Sequence, residues 1–154
     1  MSGFVLDFET QQVVNFLLKD LAQIDQKKAV KRGLTDAAKI FIARGELNLR
    51  ARLKGKGKGN LIRAFRKGWS QKNQTAYAGF YKDKDIESAS RFGNHAHLVD
   101  LGTTHRYTKS GAYRGVMPAN YFWHDARYMG EKDAYDAIVD GVQEAIMRMQ
   151  ERAG

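Results

Sequence analysis

Cysteine is absent from this 154-residue chain, which excludes disulfides and thiolate-ligated metals. A reducing compartment is allowed by that absence but not demanded. Proline occurs once, at Pro118, where a segment changes direction. No apolar run reaches the length of a membrane-spanning helix, so no membrane partner is expected. The opening Met-Ser-Gly-Phe-Val-Leu-Asp-Phe-Glu lacks both the basic and the long apolar region of a secretory signal. The expectation is a soluble protein, kept in a cytoplasm until it is used.

What is present is a core's worth of apolar residues, 43% of the chain, and a net charge of +9. The charge is uneven. Residues 19–72 hold sixteen Lys and Arg against four acids, Asp20, Asp25, Asp36 and Glu46. That surplus exceeds the net charge of the whole chain, so the remainder is mildly acidic. A basic half suits a surface near a polyanion, although a solvated basic surface accounts for the same composition.

Helical spacing begins near Thr10, with Val13, Val14, Leu17, Leu18 and Leu21 on one face and Ile24 continuing it. Asp25 reads as the N-cap of a second, longer helix. Its apolar rows are Val30, Leu34, Ala37, Phe41 and Ala38, Ile42, Gly45, Leu49, an amphipathic face fit to cover a sheet. Gly33 and Gly45 interrupt it at about 1 kcal/mol each relative to Ala, a cost that close backbone packing explains. Lys54-Gly-Lys-Gly-Lys-Gly-Asn60 follows. It lacks the Gly-Lys-Ser/Thr of a phosphate-binding P-loop, and reads as a flexible basic loop able to touch phosphates without reading sequence.

Asn60 caps a short helix through Leu61, Ile62 and Phe65. Strands are expected over 68–71 and 75–81, joined by the polar turn 71–74, and a third over 96–101. Residues 82–91 are charged and turn-rich, and 107–115 form a polar loop with Gly111 and Gly115. A helical pattern starts at Tyr121 with a break at Gly130. A final helix runs over 133–152 on the stripe Ile138, Val142, Ala145, Ile146, Met149.

No catalytic set is legible, and no cofactor or metal site is expected. His95 and His97, two apart, share a face if 96–101 is a strand. With His105, His124 and Asp100 they match no metal-ligand spacing. Ser88, Ser90 and Ser110 lie in polar loops without a nucleophile elbow. Asp83, Asp85 and Glu87 lack EF-hand spacing. Tyr121-Phe-Trp123 and Tyr128, interleaved with Arg114 and Arg127, read first as core where the last helix docks, and second as a base-stacking platform.

Gly59-Asn-Leu61, Ala96-His-Leu-Val-Asp-Leu-Gly-Thr103, Met117-Pro-Ala-Asn-Tyr-Phe122 and the helix over 133–152 stand in a telling order. In that order, over nearly its whole length, the chain resembles the tail-completion, or neck, proteins of long-tailed bacteriophages. The resemblance implies a single α+β domain over residues 1–154 and no enzymatic activity. It also implies a homo-oligomeric ring, often a hexamer, in the virion neck. The ring would assemble in the host bacterial cytoplasm between portal or head-closure proteins and the tail tube protein, around double-stranded DNA. Many members carry a Pro-Thr-Gly-like stretch where this chain has its Lys/Gly loop.

The expected architecture is thus N-terminal helices and a C-terminal helix packed on a small antiparallel sheet of three or four strands. Lys54, Lys56 and Lys58 are the candidate DNA-channel contacts. His95, His97, Gly102, Thr103, Arg106, Tyr107 and Arg114 are the candidate subunit interface, with Gly102 as a turn that a side chain would obstruct. Two rival readings stand. One is a nucleic-acid-binding protein using residues 25–53 and the loop 54–59. The other is a metal-dependent nuclease using His95, His97 and Asp100.

Overall fold

The structure, a computed structural model, describes residues 7–53, 60–80, 93 and 95–154. It is α+β. In chain order the elements are α1 (Phe8–Leu18), α2 (Gln23–Arg52), α3 (Asn60–Arg63), β1 (Phe65–Ser70), β2 (Thr75–Phe80), α4 (Ala96–Leu101) and α5 (Phe122–Ala153). No described helix is long and apolar enough to cross a membrane.

Asp7 starts α1 by accepting the Thr10 N–H at 2.7 Å. The helix ends at Leu18, and the Gln26 amide turns back to donate to the carbonyls of Leu18 (3.1 Å) and Leu21 (2.9 Å). The Leu18 carbonyl also accepts the Leu21 N–H at 3.0 Å, so this turn and Gln26 together close the C-terminus of α1. Asp25 lies within the first turn of α2 and is not its N-cap, since the helix starts at Gln23.

Three expectations are corrected. Among the described residues the sheet has two strands, β1 and β2 of one antiparallel hairpin across the turn 71–74, instead of three or four. The third expected strand is the helix α4. Its N–H groups bond locally, Leu98 and Val99 both to the His95 carbonyl. The buried residues, Ala96 and Asp100, stand four apart, which is helical spacing and breaks the two-residue period of a strand. The expected break at Gly130 is also absent. α5 runs unbroken from Phe122 to Ala153, because the Gly130 N–H and C=O continue the helical ladder and its missing side chain leaves room for Arg44 and Phe41.

The chain groups into two compact units, and α2 and α5 each contribute to both. The first comprises Met1–Ile40, Lys67–Tyr77 and Glu131–Gly154. Its core is Val14, Leu18, Ala29, Ala37, Ala38, Ala134, Ile138 and Val142. Here α2 packs on α5 with almost no side chain between them. A Cβ on Gly33 would lie 2.5 Å from the Ile138 carbonyl oxygen, and one on Gly141 would lie 2.8 Å from the Gly33 Cα. Lys31 sits over the Trp69 ring of the hairpin at 5.6 Å.

The second unit comprises Phe41–Arg66 and Ala78–Gly130. Its core is aromatic. Leu49, Phe65 and Phe122 are buried, with Ile42, Leu61, Phe80, Val99 and Trp123 packed against them. The Phe65 ring lies 4.4 Å from Phe80 and 6.0 Å from Phe122, and the Phe80 ring lies 5.6 Å from Trp123. These tilted and edge-on pairs suit the aromatic quadrupole. They need the space at Gly45, where a Cβ would stand 2.8 Å from both Phe65 and Trp123.

The α2–α5 contact in the first unit sets a testable sign. Gly→Ala in a helix interior ordinarily gains about 1 kcal/mol. Gly33→Ala and Gly141→Ala meet backbone, so overpacking of about 1–3 kcal/mol wins and both variants melt lower. Gly130→Ala meets side chains instead, Arg44 Cδ at 3.0 Å and the buried Phe41 ring at 3.3 Å, so crowding offsets the helical gain and the variant is expected to be near neutral. Thermal melts by circular dichroism check the three. A stabilised Gly33→Ala would refute the close contact.

Candidate functional site

The segment from His95 to Ala126 lies wholly in the second unit, and one side chain organises it. Asp100, at the last turn of α4, is 7% exposed. Its Oδ1 accepts the N–H groups of Trp123 at 2.7 Å and His124 at 3.2 Å. These are the second and third residues of α5, the donors that an N-cap side chain normally satisfies. The residue at the N-cap position is Tyr121, whose side chain has no acceptor placed for this and whose φ is +56°. Asp100 therefore caps α5 from a distance of 23 residues in sequence, and its negative charge favours that helix terminus.

The backbone reinforces the joint. The Asp100 carbonyl accepts Tyr121 N–H at 2.8 Å, and the Val99 carbonyl accepts Asn120 N–H at 3.0 Å. From α2, Asn48 donates to the Phe122 carbonyl at 3.1 Å and Arg52 to the Asn120 carbonyl at 2.7 Å. Arg52 also pairs with Asp125 at 2.6 Å. That guanidinium holds the Asp125 carboxyl below its ordinary range, against the opposing effect of burial and with a smaller push from His124.

Gly102 follows α4 with φ +76°, and a Cβ there would meet Ala119 N and Met117 O at 2.8 Å. Both the conformation and the space require glycine, so the expectation of an obstructable turn holds. Thr103 then pairs with Met117. Its N–H donates to the Met117 carbonyl at 2.9 Å, and its hydroxyl accepts the Met117 N–H at 3.0 Å. From this foot the chain runs out and back as a narrow arm. Arg106 N–H donates to the Gly115 carbonyl at 3.2 Å, Arg114 N–H to the Arg106 carbonyl at 2.7 Å, and Thr108 N–H to the Ala112 carbonyl at 2.8 Å. Tyr107 and Tyr113 face one another as an isolated antiparallel bridge, their ring centroids 5.5 Å apart. His105 joins them 5.7 Å from the Tyr113 ring.

The arm brings Arg106, Tyr107 and Arg114 together, all exposed. Gly102 and Thr103 form its half-buried base. His95 precedes α4 as its N-cap and His97 lies in its first turn, both exposed. Because 96–101 is helical, the two-residue period that would have put them on one strand face is absent. Asp100 points inward to α5 and is no ligand beside them, which removes the geometry of the nuclease reading. Among the described residues no group of three or more His, Asp or Glu could hold a metal ion. Phe122 and Trp123 belong to the core, as expected, while Tyr121 and Tyr128 are exposed. Lys54, Lys56 and Lys58 lie outside the described residues, as do Asp83, Asp85, Glu87, Ser88 and Ser90.

Sequence reasoning missed the cap at Asp100 and the place of Tyr113 in the arm. Nothing local marks the cap, because its donors lie 23 and 24 residues away. The Tyr113 pairing has a faint signal in the near-symmetric Arg106-Tyr107 and Tyr113-Arg114.

In the first unit a shallow groove of about 160 Å³ is edged by Lys28, Arg32, Arg148 and Arg152. Glu144 bridges Arg32, at 3.0 Å, and Arg148, and Lys28 pairs with Asp25 at 3.2 Å. Much of its positive charge is thereby neutralised. Comparison with family models, curated proteins and solved structures finds no match.

Two outcomes follow from the joint. Asp100→Ala leaves two helix-terminal N–H groups without their acceptor and is expected to cost about 2 kcal/mol or more, lowering the melting temperature by roughly 4–8 °C. Asp100→Asn keeps an acceptor and should lose less. Wild-type melting of Asp100→Ala would show that the cap is dispensable. Separately, Asp125 followed by carboxyl-carbon NMR should titrate below the usual carboxylate range, and Arg52→Gln should return it upward. Since the folded pKa is the lower one, this contact adds stability above about pH 4, which is lost as pH falls through the depressed value.

Proposed function

We propose that this chain is a structural subunit of the neck of a tailed bacteriophage or prophage. Copies of it form a ring that joins the head and portal complex to the tail tube around the DNA channel, without catalysis. The observation that carries this reading is the arm over 103–117, a firmly footed, outward-directed segment of exposed aromatic and basic side chains. Such a segment serves contact with another macromolecule, since aromatics and Arg are enriched in protein interfaces. The order of motifs shared with tail-completion proteins points the same way. His95, His97, Gly102, Thr103, Arg106, Tyr107 and Arg114 are the interface on this reading, and Lys54, Lys56 and Lys58 give weak, salt-screened contacts to passing DNA.

A nucleic-acid-binding protein is the second reading, and the cations that edge the α2–α5 groove favour it. Monomers that bind duplex DNA tightly and with steep salt dependence would support it. The Glu144 and Asp25 pairings argue for weaker binding than the count of cations suggests.

Deleting the gene and imaging the lysate tests the proposal. Full heads and loose tails are expected, and normal virions would sink the neck reading. Replacing Lys54, Lys56 and Lys58 together by Ser should leave joining intact and change DNA retention or exit. A failure to join would instead make that loop an interface element.

A further inference from the structure

The arm has a charge that nothing within it answers. Residues 103–117 contain Arg106, Lys109 and Arg114, and neither Asp nor Glu. The Arg106 guanidinium reaches the carbonyl of Arg114 at 3.4 Å. Among the described residues none of the three cations has a carboxylate partner. Around them Tyr107 is 63% exposed, Tyr113 57% and Val116 46%. Tyr and Arg gathered on one projection are the residue types that dominate binding hot spots.

The same chain presents a matching surface. On α5, Asp136, Asp140, Gln143 and Met147 recur at i, i+4, i+7 and i+11, and all four are exposed. They form one ridge along the helix. It lies opposite the buried row Ala134, Ile138, Gly141 and Val142. Asp136 and Asp140 are like charges one turn apart, and neither has an ion-pair partner among the described residues. Met147 is 59% exposed and offers a polarisable apolar seat for a ring.

We infer that the arm of one copy docks on the Asp136–Asp140–Met147 ridge of a neighbouring copy. Arg106 and Arg114 meet the two carboxylates, and the tyrosine pair with Val116 covers the ridge toward Met147. This rests on the connector reading, in which copies assemble, and adds which surfaces meet. Arm and ridge are different patches of one chain, so the contact is head-to-tail and repeats from copy to copy until a ring closes. A DNA duplex would answer the arginines but gives the tyrosines and Val116 no apolar seat, so the occupant is a second copy.

Charge reversal with compensation tests it. Sedimentation velocity on the full chain follows self-association of Arg106→Glu/Arg114→Glu, of Asp136→Arg/Asp140→Arg, and of the chain carrying all four changes. Each reversal alone is expected to weaken association about tenfold or more, and the combined chain to recover most of it. Because the chain has no cysteine, Tyr113→Cys mixed with Asp140→Cys should yield a disulfide-linked dimer under mild oxidation. A melt of each variant separates misfolding from lost contact.

Four results would overturn the inference. They are no recovery in the combined chain, no Tyr113→Cys–Asp140→Cys cross-linked heterodimer beyond the homodimers each variant forms alone, a chain monomeric at all concentrations, or arm reversal that reduces duplex-DNA binding while ridge reversal leaves association unchanged. If the reversals leave association alone while gene deletion still separates heads from tails, only the pairing of arm and ridge fails. If deletion leaves virions normal, the neck reading fails whatever the sedimentation shows.

Discussion

A single carboxylate, Asp100, holds the second unit's characteristic stretch in place. It is buried at the end of α4 and accepts the Trp123 and His124 N–H groups of α5. Around that contact the remaining pieces follow in order. Tyr121 takes a left-handed conformation that a non-glycine residue adopts only at a cost of about 1–3 kcal/mol. The backbone bonds of Asn120 and Tyr121 to α4 hold it there. With Tyr121 so turned, Phe122 enters the aromatic core and the 117–119 backbone lies against Gly102. Thr103 and Met117 can then pair, and the arm has a foot. Asn48 and Arg52 of α2 fasten the same helix start.

The two units reach close packing by different means. In the first, glycines remove side chains altogether, and α2 meets α5 backbone to backbone at Gly33 and Gly141. In the second, Gly45 is the hollow into which two large rings fit. Both spend the helical propensity of a glycine on proximity. The arm has the reverse character. Gly111 and Gly115 take positive φ with nothing within 4 Å, so there glycine serves direction of the chain alone.

Much of the fold was legible because its signals are local and periodic. The buried row Ala29, Gly33, Ala37, Phe41, Gly45, Leu49 of α2 steps by four and lies within the expected helix. The hairpin and its turn at 71–74 stood out by their polar break, and Gly33, Gly45 and Gly102 by an otherwise unexplained glycine. The failures have one cause. Ala96–Leu101 is too short for its period to be read when one buried position holds a carboxylate, and that carboxylate is buried by donors far along the chain. The same blindness hid the cap and placed His95 and His97 on a common face. At Gly130 a residue that usually interrupts helices was kept by a tertiary neighbour, since Phe41 and Arg44 occupy its empty side. The arm's outline was foreseen from its turn residues, while its Tyr107–Tyr113 pairing was not.

The arm's foot and tip answer to separate demands. Asp100, Gly102, Thr103 and Met117 are tied to the helix start and cannot change without disturbing the fold. Residues 104–116 are mostly exposed, and the backbone bonds of Arg106, Thr108, Gly111 and Arg114 stay within the segment. A lineage that acquired a different neighbour would therefore need to rewrite only about a dozen surface positions, leaving the scaffold untouched. Divergence should then concentrate between two fixed posts, so that kinship in such a chain is read from the posts and compatibility from what lies between.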